Sequence, residues 1–196
     1  MAKKNQLTAA DIFTYVEYKN LVDRLHEDGE YRIELFARLQ FCTACRAGDV
    51  LNFRWKDILH QDKLVVTEQK TGKTRAITFN TTVCKTFSDL YKLLGEPDKD
   101  QLIFKSPYGE DKPISIQFVN RELKRIKRKY RLKIGNFSTH TFRKTFGRYV
   151  YDKNNHSAES LILLNKIYKH SSLEITKTYI GITQDEIDGI FNSIQF

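Results

Sequence analysis

The fold assignment depends on one polar stretch near the C-terminus, HSSLEITKTYIGI at residues 170–182. The stretch holds one tyrosine, Tyr179, nine residues after one histidine, His170, in a chain that has ten tyrosines. A tyrosine usually serves as an amphipathic anchor with its ring in an apolar surface. The residues around Tyr179 offer little apolar stripe for such an anchor, so the rest of the sequence must decide what this side chain does.

The composition describes one globular domain. The chain has 196 residues, of which 40% are hydrophobic and 29% are charged, and a chain of this length can bury a sizeable single core. No window reaches the roughly 18 apolar residues of a membrane span, and the N-terminus lacks the apolar core of a signal peptide. We therefore expect a cytoplasmic protein.

The three cysteines indicate a reducing compartment. Cys42, Cys45 and Cys84 are too few and too unpaired for a disulfide framework. The first two form a C-x-x-C pattern, but no second cysteine pair or closely spaced histidine pair accompanies it as a zinc site requires. We interpret them as small buried side chains on one helix face.

The net charge of +9 favours a polyanionic partner such as nucleic acid. Positive charge is concentrated in RELKRIKRKYRLK at residues 121–133, which holds eight basic residues and one acidic residue. This density favours a helix that contacts DNA, and a solvated helix face is the alternative. The candidate DNA-binding residues are Lys73, Arg121, Lys124, Arg125, Lys127 and Arg128.

Apolar periodicity and capping residues predict a mainly helical α+β fold. Two runs rich in β-branched residues, 63–69 and 74–79, flank the turn sequence KTGK and predict a hairpin, and residues 54–60 predict a third strand beside it. The first helix is predicted behind a capping signal at Thr8, and Ser138 is the predicted cap of a later helix. Helices are predicted at residues 9–26, from Tyr31 through the C-x-x-C segment, within 46–53, within 80–94, and at 116–130, 139–153, 158–168, 173–180 and 184–194.

Motifs that would indicate other chemistry are incomplete. Gly72, Lys73 and Thr74 match the end of a phosphate-binding loop, but the position that needs its first glycine is Thr67, and the segment joins two strands. The histidines form no H-E-x-x-H pair, no carboxylate cluster suggests a metal ion, and no nucleophile elbow is present. We therefore expect neither a metal nor another cofactor.

Four cationic segments remain, and their order is informative although each alone could arise by chance. They contain Arg46 in CRAGDVLNFRWKDI, Lys70 in VVTEQKTGKTRAITF, His140 and Arg143 in STHTFRKT, and His170 and Tyr179 in KHSSLEITKTY. In this order and spacing they resemble the catalytic domain of the tyrosine recombinases, which include phage-type integrases and Xer-like site-specific recombinases. The resemblance extends from about Leu7 to the C-terminus, and it implies that family's α+β, mainly helical fold with a small three-stranded antiparallel sheet.

The resemblance implies that four of these residues act on a DNA phosphate. Arg46 and Arg143 would clamp its nonbridging oxygens, because a guanidinium is always charged and can hold two oxygens. His170 would donate a further hydrogen bond to the same oxygens. Tyr179 would attack the phosphorus, and the resulting 3′-phosphotyrosyl link would keep the bond energy, so that no ATP is consumed.

The resemblance also implies two groups that transfer protons. Lys70, carried into the minor groove by the hairpin, would protonate the leaving 5′-hydroxyl. His140 would act as a general acid or base near Tyr179. The neighbouring cations would lower the pKa of the tyrosine by favouring the phenolate.

Three positions depart from the family pattern or leave it open. Asp49 lies where the segment usually has a glutamate, and we assign it an orienting role. Lys169 occupies the position before His170 that is often glycine, which affects the local backbone geometry. Lys73 competes with Lys70 for the role of the acid, and Lys70 is preferred because it precedes Thr-Gly as the family's lysine does.

Assembly and function keep several alternatives. Family members act on double-stranded DNA as tetramers that pass a C-terminal segment between neighbours, so we expect a DNA partner, no membrane, a homo-tetramer on DNA and a monomer when free. The apolar residues of DEIDGIFNSIQF, residues 185–196, would dock on a neighbour or on their own core.

We expect residues 1–196 to form one catalytic domain without the N-terminal DNA-clamping domain of most members. The chain would then be a fragment of an integrase or a compact member similar to the fimbrial invertases. A type IB topoisomerase and a DNA-binding module with a degenerate site are the competing functions.

Overall fold

The structure is a computed structural model, and it describes residues 10–69, 72–109, 111–182 and residue 192. Within them the chain is mainly helical, with one two-stranded antiparallel sheet. The elements are α1 (Tyr15–Glu27), α2 (Tyr31–Thr43), α3 (Ala47–Leu51), α4 (Trp55–Ile58), β1 (Lys63–Thr67), β2 (Thr74–Thr78), α5 (Thr81–Leu93), α6 (Ile116–Tyr130), α7 (Thr139–Lys153), α8 (Ala158–Tyr168) and α9 (Leu173–Tyr179). In this part of the chain no helix is both long and apolar enough to cross a membrane.

Helices α6, α7 and α8 have the bounds that the sequence predicts. A serine in extended conformation precedes each of them, and Ser115 and Ser157 each accept a hydrogen bond from the backbone N–H three residues later. At α7 the backbone N–H of Ser138 donates to Thr141 Oγ1 at 3.2 Å, as in a capping box. The short helix α9 ends at Tyr179, one residue before its predicted end.

The first helix begins later than predicted. Helix α1 is capped by Thr14, whose Oγ1 accepts a hydrogen bond from the Glu17 backbone N–H at 3.2 Å, while the Glu17 carboxylate accepts one from the Thr14 backbone N–H at 2.8 Å. The predicted signal at Thr8 lies outside the described residues. The predicted last helix and the apolar docking segment also fall outside them, apart from residue 192.

The third strand predicted at residues 54–60 is wrong, because this segment forms helix α4. The Asp57 carboxylate accepts a hydrogen bond from the Arg54 backbone N–H at 2.7 Å, which stabilises the first turn. Trp55 and Ile58, three positions apart, are both buried in the core. The sheet of the described residues therefore has two strands.

The hairpin extends from the core with alternating side chains. Leu64 pairs with Ile77 and Val66 pairs with Arg75. Leu64 and Val66 are buried, whereas their neighbours in β1 are exposed, as expected for a strand with one face on the core. The connection between the two strands is the segment of the sequence that contains Lys70.

The C-x-x-C segment does not lie on one helix face, contrary to the prediction. Ala44 adopts a left-handed conformation with φ of 52° and ends α2, so that Cys42 belongs to the helix and Cys45 follows it. Both are free thiols, and Cys45 is fully buried. The turn matters for the site because Arg46 comes directly after it.

Two apolar clusters hold the helices together. The larger one contains most of the buried side chains, among them Phe36 and Phe142, whose ring centroids lie 6.3 Å apart. The smaller one joins α8 and α9 to α7. Its buried members are Ala44, Leu161, Leu164, Tyr168 and Ile180. The turn after α2 lies where the clusters meet, since Ala44 belongs to the smaller one and the next residue to the larger.

Candidate active site

Arg46 lies at the N-terminal end of the short helix α3. Its side chain is 26% exposed, and Nη1 donates to Oε2 of the buried Glu68 at 2.6 Å. Such a charge-assisted hydrogen bond to a buried carboxylate fixes the orientation of the guanidinium. The other nitrogens of Arg46 have no hydrogen-bond partner among residues 10–69, 72–109 and 111–182, so they are available to a ligand.

Arg143 is buried in the middle of α7, with only 2% of the residue exposed. Its Nη2 donates to the carbonyl oxygen of Tyr168 at 3.3 Å, and the guanidinium lies 4.8 Å from the centre of the Tyr168 ring. The Tyr168 hydroxyl donates back to the carbonyl oxygen of Arg143 at 2.7 Å. Nη1 is buried and has no hydrogen-bond partner in the described part of the chain. A buried cationic donor without an acceptor is costly, and an anionic ligand would satisfy it.

The connection from α8 to α9 brings His170 and Tyr179 together, with ring centroids 5.0 Å apart. Tyr179 is the last residue of α9 and is half-buried. Nδ1 of His170 lies 3.1 Å from Oγ1 of the fully buried Thr176. Asn165 Nδ2 donates to Thr176 Oγ1 at 3.1 Å and to the carbonyl oxygen of Ser172 at 2.8 Å. This network ties the histidine and the helix that ends in the tyrosine to α8.

The first turns of α7 contribute one exposed and one buried basic group. His140 is exposed near the start of the helix. Lys144, one turn later on the same face, is buried, and its Nζ donates to the carbonyl oxygen of Ala10 at 2.6 Å. The same Nζ lies 5.6 Å from the centre of the Tyr179 ring. This face of α7 therefore lies beside the ring of Tyr179.

Partial loss of hydration and neighbouring positive charge favour the neutral form of both histidines, although His140 keeps exposed surface. The pKa of His170 is lowered to about 4, mainly by burial and further by Arg143 and Arg46. The pKa of His140 is also lowered, first by loss of hydration and then by Arg143, with smaller effects of Lys144 and Arg46. Because the same two guanidiniums act on both imidazoles, the four groups lie near one another.

The cations lower the pKa of Tyr179 as expected, but its net pKa is raised because burial has the larger effect. Burial disfavours the phenolate, and the charge and hydrogen bond of Arg143 together with the charge of Arg46 offset only part of this effect. The phenol is therefore protonated at neutral pH in the free protein. A base must remove its proton when it reacts.

Asp49 contacts the hairpin. Its Oδ1 accepts a hydrogen bond from the Gln69 backbone N–H at 3.0 Å, one residue before Lys70, and Oδ2 is buried with no hydrogen-bond partner in the described segments. Lys70 itself lies outside the described residues, so its role stays a prediction. Lys73 is exposed, and its carbonyl oxygen accepts a hydrogen bond from Lys169 Nζ at 3.3 Å.

Three of the predicted DNA-binding residues form an exposed row on α6. Arg121, Lys124 and Arg128 are exposed, and their spacing places them on the helix face opposite the buried one. We call this row the α6 stripe. Its contact with DNA stays a prediction.

Two other predicted DNA-binding residues on α6 already have partners inside the protein. Arg125 forms a bidentate pair with Glu30, with N–O distances of 2.7 and 2.8 Å. Lys127 Nζ donates to the carbonyl oxygen of Gly135 at 2.6 Å. These contacts join α6 to neighbouring segments, so some basic residues of this helix stabilise the fold.

Comparison with known proteins shows the family. The model of the phage integrase family matches residues 12–186. The chain belongs to the phage integrase family. A curated relative, the "Probable integrase/recombinase YoeC" of Bacillus subtilis (strain 168), is 34% identical over 143 residues, which are 73% of this chain and 74% of that protein. The tyrosine recombinase family predicted from the four motifs is thereby confirmed.

Solved structures of phage integrases and Xer recombinases share the fold. The XerH site-specific recombinase, in a post-cleavage complex with a palindromic difH substrate, has a TM-score of 0.72 at 17% identity over 98% of this chain. The catalytic domain of bacteriophage HP1 integrase has a TM-score of 0.58 at 16% identity, covering 94% of this chain and 95% of that one. The predicted fold class is confirmed apart from the third strand. The chain spans 55% of the XerH chain.

Three residues of this integrase-family site were missed by the sequence motifs. Glu68 holds Arg46, Lys144 borders the ring of Tyr179, and Asn165 ties α8 to α9. Their side chains are common at protein surfaces, and only their burial or their contacts across elements give them a role. The only signal in the sequence is that a lysine follows His140 by one helical turn. This spacing does not show whether the lysine is buried or exposed.

Proposed function

We propose that this member of the phage integrase family cleaves and rejoins double-stranded DNA at specific sites through a 3′-phosphotyrosyl intermediate, without metal or ATP. The observation that carries the proposal is Arg143, a buried guanidinium close to Tyr179 whose Nη1 lacks an acceptor in the described structure. A phosphate oxygen supplies an acceptor of the matching charge. Arg46, held on one side by Glu68, offers further donors to the same phosphate.

The proposed cleavage balances one bond formed against one bond broken. The Tyr179 phenol oxygen attacks the phosphorus, and the bond from phosphorus to the 5′-oxygen breaks. The phenol proton passes to His140, which is neutral at pH 7 and can accept it. Lys70 gives a proton to the leaving 5′-oxygen. The reverse sequence rejoins the strand, so the reaction needs no energy source.

The hydrogen bonds around Thr176 position the ring of His170, and we infer the tautomer in which Nδ1 accepts. Thr176 Oγ1 accepts from Asn165 Nδ2 at 3.1 Å and lies 3.1 Å from His170 Nδ1 and 3.5 Å from the carbonyl oxygen of Ser172, so its proton can go to either acceptor. A neutral imidazole that accepts at Nδ1 carries its proton on Nε2. His170 then donates from Nε2 to a nonbridging phosphate oxygen without adding a net charge.

The proposed reaction occurs in the DNA complex, because the Tyr179 phenol is protonated at neutral pH and needs a base. In the free protein the phenol is protonated and is a weak nucleophile. Attack therefore requires that the phosphate and the base be in position together. This favours cleavage of bound DNA over reaction with other electrophiles.

We also propose that DNA binds across the α6 stripe and that four copies assemble on it, with a monomer in the absence of DNA. Phosphate contacts of exposed basic residues supply affinity and little sequence information. Asp49 would orient the hairpin that contains Lys70, since it bonds the backbone directly before that lysine. The catalytic unit in this proposal is residues 1–196.

Nicked suicide DNA tests the proposal. The substrate carries the sequences that flank this protein's gene, at low salt because affinity for DNA falls with salt concentration. We expect a gel-stable protein–DNA adduct that is lost in Tyr179→Phe and retained in Tyr108→Phe, which changes a tyrosine that is 86% exposed. Binding without any adduct would instead support a DNA-binding module. Relaxation of circular DNA without exchanged products would support a topoisomerase.

A further inference from the structure

Among the described residues, the Glu68 carboxylate contacts basic residues from three different elements. Its carboxylate is 1% exposed and bonds Arg46 Nη1 at 2.6 Å. Its Oε1 lies 3.4 Å from Arg75 Nε on β2 and 3.4 Å from Lys169 Nζ at the end of α8. A buried carboxylate is costly unless cations surround it, so its position is defined by these contacts.

The same residue closes the hairpin turn through its backbone. The Glu68 N–H donates to the carbonyl oxygen of Lys73 at 3.1 Å, and the Gly72 N–H donates to the carbonyl oxygen of Glu68 at 2.8 Å. Lys169 Nζ reaches the carbonyl oxygen of Lys73 as well, at 3.3 Å. Lys169 therefore contacts both the side chain that holds Arg46 and the backbone of the hairpin.

Lys169 has an unfavourable backbone conformation for a lysine. It ends α8 with φ of 56° and ψ of 44°, a left-handed geometry in which glycine is strongly favoured. The residue after it is His170. Its side chain is 17% exposed and contacts the hairpin.

We propose that Glu68 and Lys169 are positioning residues that lock the β-hairpin to the connection between α8 and α9. The lock fixes Arg46, the described residues of the hairpin and the segment that contains His170 relative to one another. It rests on the proposed function, since the aligned groups are those that would act on the DNA phosphate. Neither Glu68 nor Lys169 touches the substrate in this account.

The substitution Lys169→Gly distinguishes a lysine that only ends a helix from one that locks the hairpin. If Lys169 were only a helix end, glycine would remove backbone strain and make the protein more stable. If the lock exists, the hairpin loses a partner, and the amides of Glu68 and Gly72 exchange their hydrogens about tenfold faster. Hydrogen exchange of the free protein measures this directly. Unchanged exchange at these two amides would overturn the proposal.

Activity provides the second measurement, made with the full chain and saturating suicide DNA. We expect Lys169→Gly and Glu68→Gln to lower the rate of adduct formation about tenfold or more, with less than about a threefold change in Kd for DNA. Lys169→Arg restores the rate, because it keeps the cation. Lys166→Ala, which removes an exposed lysine from the same helix, leaves the rate and the exchange unchanged.

The two proposals fail in different ways. Absence of an adduct in the wild-type protein rejects the proposed function, while faster hairpin exchange in Lys169→Gly still supports the lock. An active wild-type protein whose Lys169→Gly variant is equally fast and equally protected rejects the lock alone. If Glu68→Gln does not fold, the lysine variants decide the question.

Discussion

The imidazole of His170 and the phenol of Tyr179 meet edge to face, with ring centroids 5.0 Å apart and ring planes at 73°. Tyr168 contacts both rings, at 5.2 Å from the histidine and 5.1 Å from the tyrosine. The three rings shield one another from water, which disfavours the charged form of each group. This explains why the pKa of His170 falls to about 4 while the pKa of Tyr179 rises.

The lowered pKa of His170 predicts a loss of stability in mild acid. The unfolded chain takes up a proton on this histidine near pH 6.5, whereas the folded protein does so only near pH 4. Between these values the unfolded state binds more protons, so the free energy of unfolding falls as the pH is lowered from about 6.5 to about 4. With allowance for solvent screening, we expect an effect on the order of 1–2 kcal/mol.

Urea unfolding of the wild type and of His170→Gln between pH 4 and 7.5 measures this effect. Glutamine cannot titrate, so the variant should lose less stability over the interval. The comparison also separates His170 from His140, whose pKa is lowered too and which is present in both proteins. Parallel pH profiles for the two proteins would show that His170 is not the group responsible.

Replacement of Arg143 by lysine should abolish most of the activity. A lysine carries the charge but cannot donate to the Tyr168 carbonyl and present a second fixed donor to a phosphate at the same time. We expect Arg143→Lys to slow adduct formation by at least about 100-fold, with a much smaller change in Kd for DNA. Single-turnover rates at saturating DNA give the first quantity and filter binding gives the second.

Arg38→Lys is the matched control for this prediction. Arg38 pairs with Glu34 on the same helix, with an Nε–Oε1 distance of 2.7 Å, and is absent from the pocket of the two arginines. The control should keep the wild-type rate. A rate for Arg143→Lys within a few fold of the control would mean that the planar guanidinium is not needed.

The sequence predicts the longer helices well, because local signals define their ends. The serines before α6, α7 and α8 are caps, and the apolar positions of each helix recur at its period. Helix α4 was mistaken for a strand because four residues are too few to show a period. Its formation depends on the Asp57 cap and on burial of Trp55 and Ile58 in a core that the sequence does not reveal.

Part of the candidate site can be predicted from the sequence and part cannot. The ordered motifs predict five of its residues, which are Arg46, His140, Arg143, His170 and Tyr179. The two guanidiniums among them influence the pKa values of the two histidines and the tyrosine. The effect of the cations on the pKa of Tyr179 has the predicted sign, but the larger effect of burial could not be predicted, because burial is a property of the folded chain. Glu68 was missed for the same reason, since an acidic residue in a hairpin is usually exposed.

Gly147 allows the close packing that positions α9. A Cβ at this position would overlap the Tyr168 hydroxyl and would lie 2.6 Å from Ile180 Cγ2. Gly147→Ala must therefore push α8 and the end of α9 away from α7, at a cost of about 1–3 kcal/mol. We also expect slower adduct formation, because Tyr179 precedes the displaced Ile180. Chemical denaturation and the suicide-substrate assay measure the two effects.

Gly48→Ala is the control for this substitution. Within the described residues, a Cβ at Gly48 would meet only Gln69 Oε1, at an ordinary contact distance of 3.5 Å, and the glycine lies within α3. An alanine there should be neutral or slightly stabilising, since alanine favours the helix. Equal stability of both variants would contradict the close approach at Gly147.

The α6 stripe should contribute to the salt dependence of DNA binding. Each phosphate contact by Arg121, Lys124 or Arg128 releases counterions. Each such contact therefore adds about 0.9 to the magnitude of the slope of log affinity against log salt concentration. The triple replacement of these residues by glutamine should reduce that slope by about 2 to 3 and weaken binding to all DNA sequences alike. Titrations at four or more salt concentrations give the slope.

The substitution Arg125→Gln tests whether loss of any positive charge on α6 lowers the salt dependence, or only loss of a residue that contacts a phosphate. It removes one positive charge from α6, but Arg125 is already neutralised by its bidentate pair with Glu30. We expect little change in the salt slope and a loss of stability of about 1 kcal/mol, because the pair joins α6 to the residue before α2. If Arg125→Gln lowered the slope as much as a single replacement in the α6 stripe does, the DNA would have to compete successfully with Glu30. The division of α6 into a DNA-facing row and a structural row would then be wrong.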